Sequence, residues 1–219
     1  MTTATESSGS PPRPQGLRSG TSDLPAAART LAGHLVELVA ASPGGVARLK
    51  RGAGKRLGDA DLRGETASEF YRLVARTRTL PRYAMEGAFL VSSLFPLTKR
   101  HSAKGGDLGA TLRFCRTKTN GAGLDRRVQA LLDSDEKQLP YRLRRAIQYA
   151  AGREPPAPVN WAQLLEDVVS WGRPGARAWV RRRWAEAYFI GGARQESPVA
   201  TGDTDDTDDT NDTGEMEQE

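Results

Sequence analysis

An all-α fold is predicted by three observations. Apolar residues recur at three- and four-residue spacings through the interior of the 219-residue chain. No segment alternates apolar and polar residues in the manner of a strand. The periodic segments are also separated by Gly, Pro, Asn and Asp where helices start or stop. Together these predict eight or nine helices in two small bundles, residues 24–100 and 101–192, joined near residues 97–110.

In chain order, Leu31, Leu35, Leu38 and Val39 share one face of a helix over 24–41. Asp23 is expected to cap it, and Pro25 sits in its first turn, where a missing N–H is harmless. "GGVARLKRGAGKR" reads as a short basic helix and a loop. A helix near 66–77 carries Phe70, Leu73 and Val74. "YAMEGAFLVSSLF" is apolar on nearly all sides, the mark of a central helix, with Pro96 expected at its exit. Asp107 then caps a new helix in "DLGATLRF". Leu124, Val128, Leu131 and Leu132 form the next stripe, and Leu139, Leu143, Ile147 and Ala150 the one after. "REPPAPV" breaks the chain. Asn160 caps the following helix, with Gln163 placed to complete a capping box, and Trp161, Leu164, Leu165 and Val168 face inward. Gly172 and Pro174 end it. The last helix buries Val180, Trp184 and Tyr188, while Arg181 to Arg183 fan outward and Glu186 pairs with Arg182.

Residues 1–23, rich in Thr, Ser, Gly and Pro, and residues 193–219, rich in Asp and Thr, lack the apolar content to offset ordering entropy; both are expected to be disordered tails. The net charge of +5 conceals an asymmetry. Residues 196–219 hold ten acidic side chains and no Lys or Arg. The remaining 195 residues carry 32 basic and 17 acidic groups, a net +15. Such a body attracts polyanions.

Several chemistries are excluded. No run of about 18 apolar residues is present, so no membrane span is expected, and the N-terminal residues lack a signal-peptide core. The expected setting is a reducing cytoplasm. Cys115 is the only cysteine and reads as a small buried hydrophobe. His34 and His101 are the only histidines and lack metal-ligand spacing, so no metal and no cofactor is expected. "RGAGKRLG" fails as a phosphate loop: Leu49 stands where the first glycine belongs, and Arg56 stands where Ser or Thr should follow Lys55. Neighbours such as Glu166 and Asp167 diverge on a helix and are no catalytic pair. An enzyme is not expected.

The basic residues, by contrast, cluster. The clusters are Arg48, Lys50, Arg51, Lys55 and Arg56; Arg113, Arg116 and Lys118; Arg126 and Arg127; Arg142, Arg144 and Arg145; and Arg177 with Arg181 to Arg183. At 100° per residue, Arg126 and Arg145 point away from the apolar stripes of their helices, with Arg127, Arg142 and Arg144 flanking. Arg142 to Arg145 contain no acid to pair with. Such faces follow a phosphate backbone without reading bases. Zinc-finger, aromatic RNA-binding and helix-turn-helix signatures are missing.

The segments "GGVARLKRG", "SEFYRLV", "LGATLRF", "DRRVQALLDSD", "RLRRAIQYA" and "VNWAQLLEDVVSWG", in this order from Leu31 to Phe189, resemble the CasB family, the small subunit of the type I-E CRISPR surveillance complex Cascade. The resemblance implies a non-catalytic, all-helical protein. Its partners would be a second copy, the other Cascade subunits with their guide RNA, and target DNA. It would stabilise the R-loop, chiefly by holding the displaced non-target strand. Lys50 and Arg51, Arg126 and Arg127, and Arg144 and Arg145 match the family's basic pairs, and Arg173 and Arg177 fall in its basic turn. The chain departs from the family at Ala110, where a basic residue is expected; Arg113, one turn on, is placed to compensate. Two alternatives stand beside this: a free-standing basic DNA-binding or DNA-compacting protein, and a structural adaptor whose basic faces contact guide-bearing subunits.

Overall fold

A computed structural model describes residues 24–191. Among these residues there are nine α-helices, one 3-10 turn (Arg82–Ala84) and no strand beyond an isolated bridge between His101 and Val159. The all-α expectation holds. The helices are α1 (Leu24–Ala41), α2 (Pro43–Lys50), α3 (Gly64–Thr77), α4 (Met85–Thr98), α5 (Leu108–Phe114), α6 (Gly121–Leu132), α7 (Leu139–Ala151), α8 (Trp161–Trp171) and α9 (Pro174–Phe189). The expected tails and the Asp23 cap lie outside the described residues.

α4 is the centre, as its all-round apolarity required. Every residue from Gly87 to Pro96 is buried, and the helix packs on α2, α7 and α8. Because α4 touches elements of both halves, and α1 lies against α8, one continuous apolar cluster runs from Leu24 to Tyr188. Phe70 meets Phe89 edge-on at 5.3 Å, Phe95 meets Trp161 at 5.3 Å, and Trp171 lies 5.1 Å from Trp184. Each such side chain stabilises the fold by roughly 1.5–3 kcal/mol relative to exposure.

Two local expectations are corrected. Pro96 does not end α4. The helix continues through Leu97 and Thr98 and stops at Lys99, which is left-handed at φ 54°. A proline this close to the end removes one hydrogen bond, and the last turn closes without it through Lys99 N–H to Phe95 O at 2.9 Å. The capping box on α8 forms on one side only. Asn160 Oδ1 accepts from Gln163 N–H at 3.1 Å, but the Gln163 amide donates forward to Asp167 Oδ1 at 3.0 Å. The buried Asp167 carboxylate draws the Gln163 amide N–H toward it, and the amide oxygen does not turn back to accept from the Asn160 N–H. Asp107 caps α5 as expected, accepting from Ala110 N–H at 3.1 Å.

Cys115 is buried, and burial pushes its thiol up to about 11. The small-hydrophobe expectation stands. His101 is tied to the start of α8, its Nδ1 lying 3.4 Å from Trp161 N–H, and burial lowers its pKa. His34 Nδ1 meets Thr77 Oγ1 at 3.3 Å, joining α1 to α3. Among the described residues no His, Cys, Asp or Glu group is arranged to hold a metal, and no helix is long and apolar enough to cross a membrane.

Candidate nucleic-acid interface

α6 and α7 pack on each other, and each turns its apolar stripe inward. Val128 and Leu131 on one and Leu143 and Ile147 on the other are buried. The outer faces meet in a shallow cleft of about 190 Å³ lined by Arg126, Arg127, Ala130, Tyr141, Arg142, Arg145 and Ala146. Four guanidinium groups therefore converge from two helices. No carboxylate among the described residues pairs with any of them. Their contacts are aromatic or to backbone. Arg142 and Arg145 lie over the Tyr141 ring at 5.8 and 5.9 Å, Arg127 lies over Tyr149 at 5.2 Å, and Arg126 Nε reaches Ala122 O at 3.4 Å. Tyr141 is 55% exposed. Such contacts orient the cations without neutralising them.

The loop after α2 carries the second cluster. Arg51 and Lys55, with Arg63 and Thr66, line a neighbouring basic depression. Gly54 makes this loop possible. Its φ of +79° suits only glycine, and a Cβ there would lie 2.8 Å from Arg144 Cδ. The glycines that failed as a phosphate loop thus serve a turn and a close contact. That contact seats the Arg144 stem on the loop, so the α7 cluster and the α2 loop adjoin. Lys50, Arg51, Arg126, Arg127, Arg144 and Arg145 are all exposed. The two clusters differ in pairing. Arg51 meets Glu65 at 2.9 Å and Lys55 meets Asp61 at 2.5 Å. Both are solvent-exposed pairs, worth about 1 kcal/mol or less and readily exchanged for phosphate.

The remaining predicted residues hold parts of the chain together. Arg48 is half-buried against Glu69 at 2.8 Å. Arg56 pairs with Glu136 at 3.5 Å, tying the α2 loop to the segment before α7. Arg113 donates to Tyr188 O at 3.2 Å and Arg177 to Trp171 O at 2.8 Å. Arg173 lies over Tyr83 at 5.5 Å. Arg113 thus answers the Ala110 question in part: its guanidinium is engaged inside the α5–α9 contact.

The arginine triplet on α9 splits. Arg182 is exposed and pairs with Glu186 at 2.7 Å, as expected. Arg181 and Arg183 do not fan outward. Arg181 donates to Ser134 O at 2.6 Å and covers Trp171 at 5.4 Å. Arg183 binds Asp107 Oδ2 at 3.0 Å, binds Asp167 Oδ1, and lies over Trp179 at 4.4 Å. Asp167 also accepts from Trp184 Nε1 at 2.8 Å. Its carboxyl is raised by burial, against the opposing pull of Arg183, Trp184 and Gln163. Sequence reasoning missed Arg63, whose neighbours carry no pattern, and Tyr141. The signal for Tyr141 was present: it stands one residue before Arg142 and four before Arg145, on one helical face.

Fold and surface together define an all-helical protein with an exposed, acid-free arginine cleft. A family model described as CRISPR-associated protein Cse2 matches residues 45–189, and the chain belongs to that family. A CRISPR-associated protein Cse2 of Thermus thermophilus is 35% identical over 115 residues, which span 51% of this chain and 60% of that protein. The crystal structure of M. ruber CasB superposes with a TM-score of 0.56 at 25% identity, covering 71% of this chain and 89% of that one. A chain of a CRISPR RNA-guided surveillance complex shares the fold, with a TM-score of 0.63 at 19% identity over 80% and 99% of the two chains. The resemblance to the CasB family is borne out.

Proposed function

We propose that this chain is a non-catalytic small subunit of a type I-E surveillance complex, and that it grips nucleic-acid backbone along the α6–α7 cleft and the adjoining α2 loop. Its chief ligand is the displaced non-target strand of the R-loop. Its partners are the other subunits with their guide RNA and a second copy of itself. One observation carries this reading: Arg126, Arg127, Arg142 and Arg145 converge around an exposed tyrosine with no acid among the described residues to neutralise them. Packing like charges together costs about 1 kcal/mol or less per close pair in water. An anionic ligand offsets that cost. Family membership supports the setting.

The chemistry suits the task. Guide pairing reads sequence, so a strand holder needs no base-edge contacts. R-loop formation is nearly balanced, so modest backbone contacts decide its direction. Neutralising about five phosphates gives a log–log salt slope near −3.5 for single strands. Replacing the four cleft arginines with alanine is expected to weaken single-strand binding by about 100-fold at 0.1 M salt and to flatten the slope toward −0.7. Circular dichroism should stay native. Unchanged affinity in this variant, and in Lys50→Ala with Arg51→Ala, would reject the strand-holding role. Tight duplex binding by the isolated chain, with no association with other subunits, would favour a free-standing DNA binder.

A further inference from the structure

The described chain ends just after α9, which packs on α6, the helix that forms one wall of the arginine cleft. The Tyr188 hydroxyl donates to Asp125 Oδ1 at 2.6 Å, and Asp125 directly precedes Arg126 on α6. Gly191 follows Tyr188 by three residues, so the described chain ends beside α6 on its Asp125 side, about 150° around the helix from the Arg126, Arg127 and Ala130 face, and the C-terminal segment begins there. That segment contains ten acidic residues between Glu196 and Glu219 and no basic residue after Arg194. Its densest part, "DTDDTDDTND", begins at Asp203. Eleven residues lie between Gly191 and Asp203, a tether able to span up to about 40 Å.

We propose that residues 203–212 occupy the α6–α7 cleft when no nucleic acid is present. They act as a tethered polyanion that a DNA strand must displace. The inference rests on the cleft being the strand-holding surface. The complementarity is specific in sign: the cleft lining holds cations and no acids, and residues 203–212 hold acids and no cations. Tethering supplies an effective concentration in the millimolar range, so even weak carboxylate–guanidinium contacts fill the site. A short adventitious polyanion then competes poorly. A long strand that reaches both the cleft and the α2 loop displaces the segment.

The test uses the full chain. Asp203, Asp205, Asp206, Asp208, Asp209 and Asp212 are all changed to asparagine. Single-strand affinity is then measured in the native-cleft background and in the four-arginine alanine background. The neutralised segment should tighten binding by roughly 3- to 10-fold at 50 mM salt with the native cleft, steepen the salt slope, and change little in the alanine background. Equal tightening in both backgrounds would mean a diffuse field effect and would overturn the proposal, as would no tightening at all with the native cleft. Amide NMR without DNA separates this from failure of the strand-holding reading. Shifts on neutralisation concentrated in α6 and α7 sustain the contact even if the cleft substitutions leave DNA affinity unmoved. Shifts spread evenly over the body, or none, sink it.

Discussion

"YRLRR" on α7 and "WVRRRW" on α9 are near-twins in composition, yet their arginines end in opposite surroundings. On α9, Arg183 reaches two carboxylates, Asp107 and Asp167, and Arg181 takes the carbonyl of Ser134. On α7, the one side-chain contact of Arg142 and Arg145 among the described residues is the Tyr141 ring. The difference lies in what the fold brings to each helix. Asp107 is 76 residues from Arg183, and it arrives because it caps α5, which packs on α9. Among the described residues no acid-bearing segment arrives over α6 and α7. An arginine cluster is thus glue where tertiary packing supplies carboxylates and an exposed, unneutralised surface where it does not.

The largest expected effect tests the glue. Asp167→Ala removes the acceptor of Trp184 Nε1 and one partner of Arg183 inside the core. It should cost about 3 kcal/mol in urea unfolding. Arg145→Ala, on the exposed cleft, should fall within about 0.5 kcal/mol. Similar costs for the two would break the comparison.

A smaller effect sharpens the ligand side. Tyr141→Ala should weaken single-strand binding by about 1–3 kcal/mol if a base stacks on the ring between Arg142 and Arg145. Thermal unfolding should barely move. Titration against single-stranded DNA and the same titration against a polyphosphate separate stacking from charge, since only the first should respond.

The smallest effect concerns an intermediate case. Asp125 accepts from Arg116 at 3.0 Å and from Tyr188 at 2.6 Å. These bonds, the Arg116 one first, hold its carboxyl below the usual aspartate value. The sign follows directly. The stabilisation is present above the unfolded carboxyl pKa near 4 and fades as pH falls through the lower folded value. Denaturation midpoints between pH 5 and 3 should therefore drop more steeply for the native chain than for Arg116→Ala. Parallel curves would show that this exposed pair contributes nothing.

Much of the fold was legible in the chain because burial follows period. The stripes of Leu139, Leu143 and Ile147, and of Val180, Trp184 and Tyr188, are buried as read. Caps by Asp107 and Asn160 were visible because their chemistry is local. Where reading failed, a distant group had changed the outcome. Gln163 turned from the cap toward Asp167, and Arg181 and Arg183 turned inward toward Ser134, Asp107 and Asp167.

By itself the sequence determined the helical class, the inward faces and the surplus of unpaired charge, all properties of neighbours within a turn or two. Only the tertiary structure decided which cations stay unpaired. It set α6 beside α7 so that four arginines converge, seated Arg144 on Gly54, and carried Asp107 and Asp167 to α9. Ion pairing depends on distance in space, and a helix period fixes direction around one axis without saying what lies across from it.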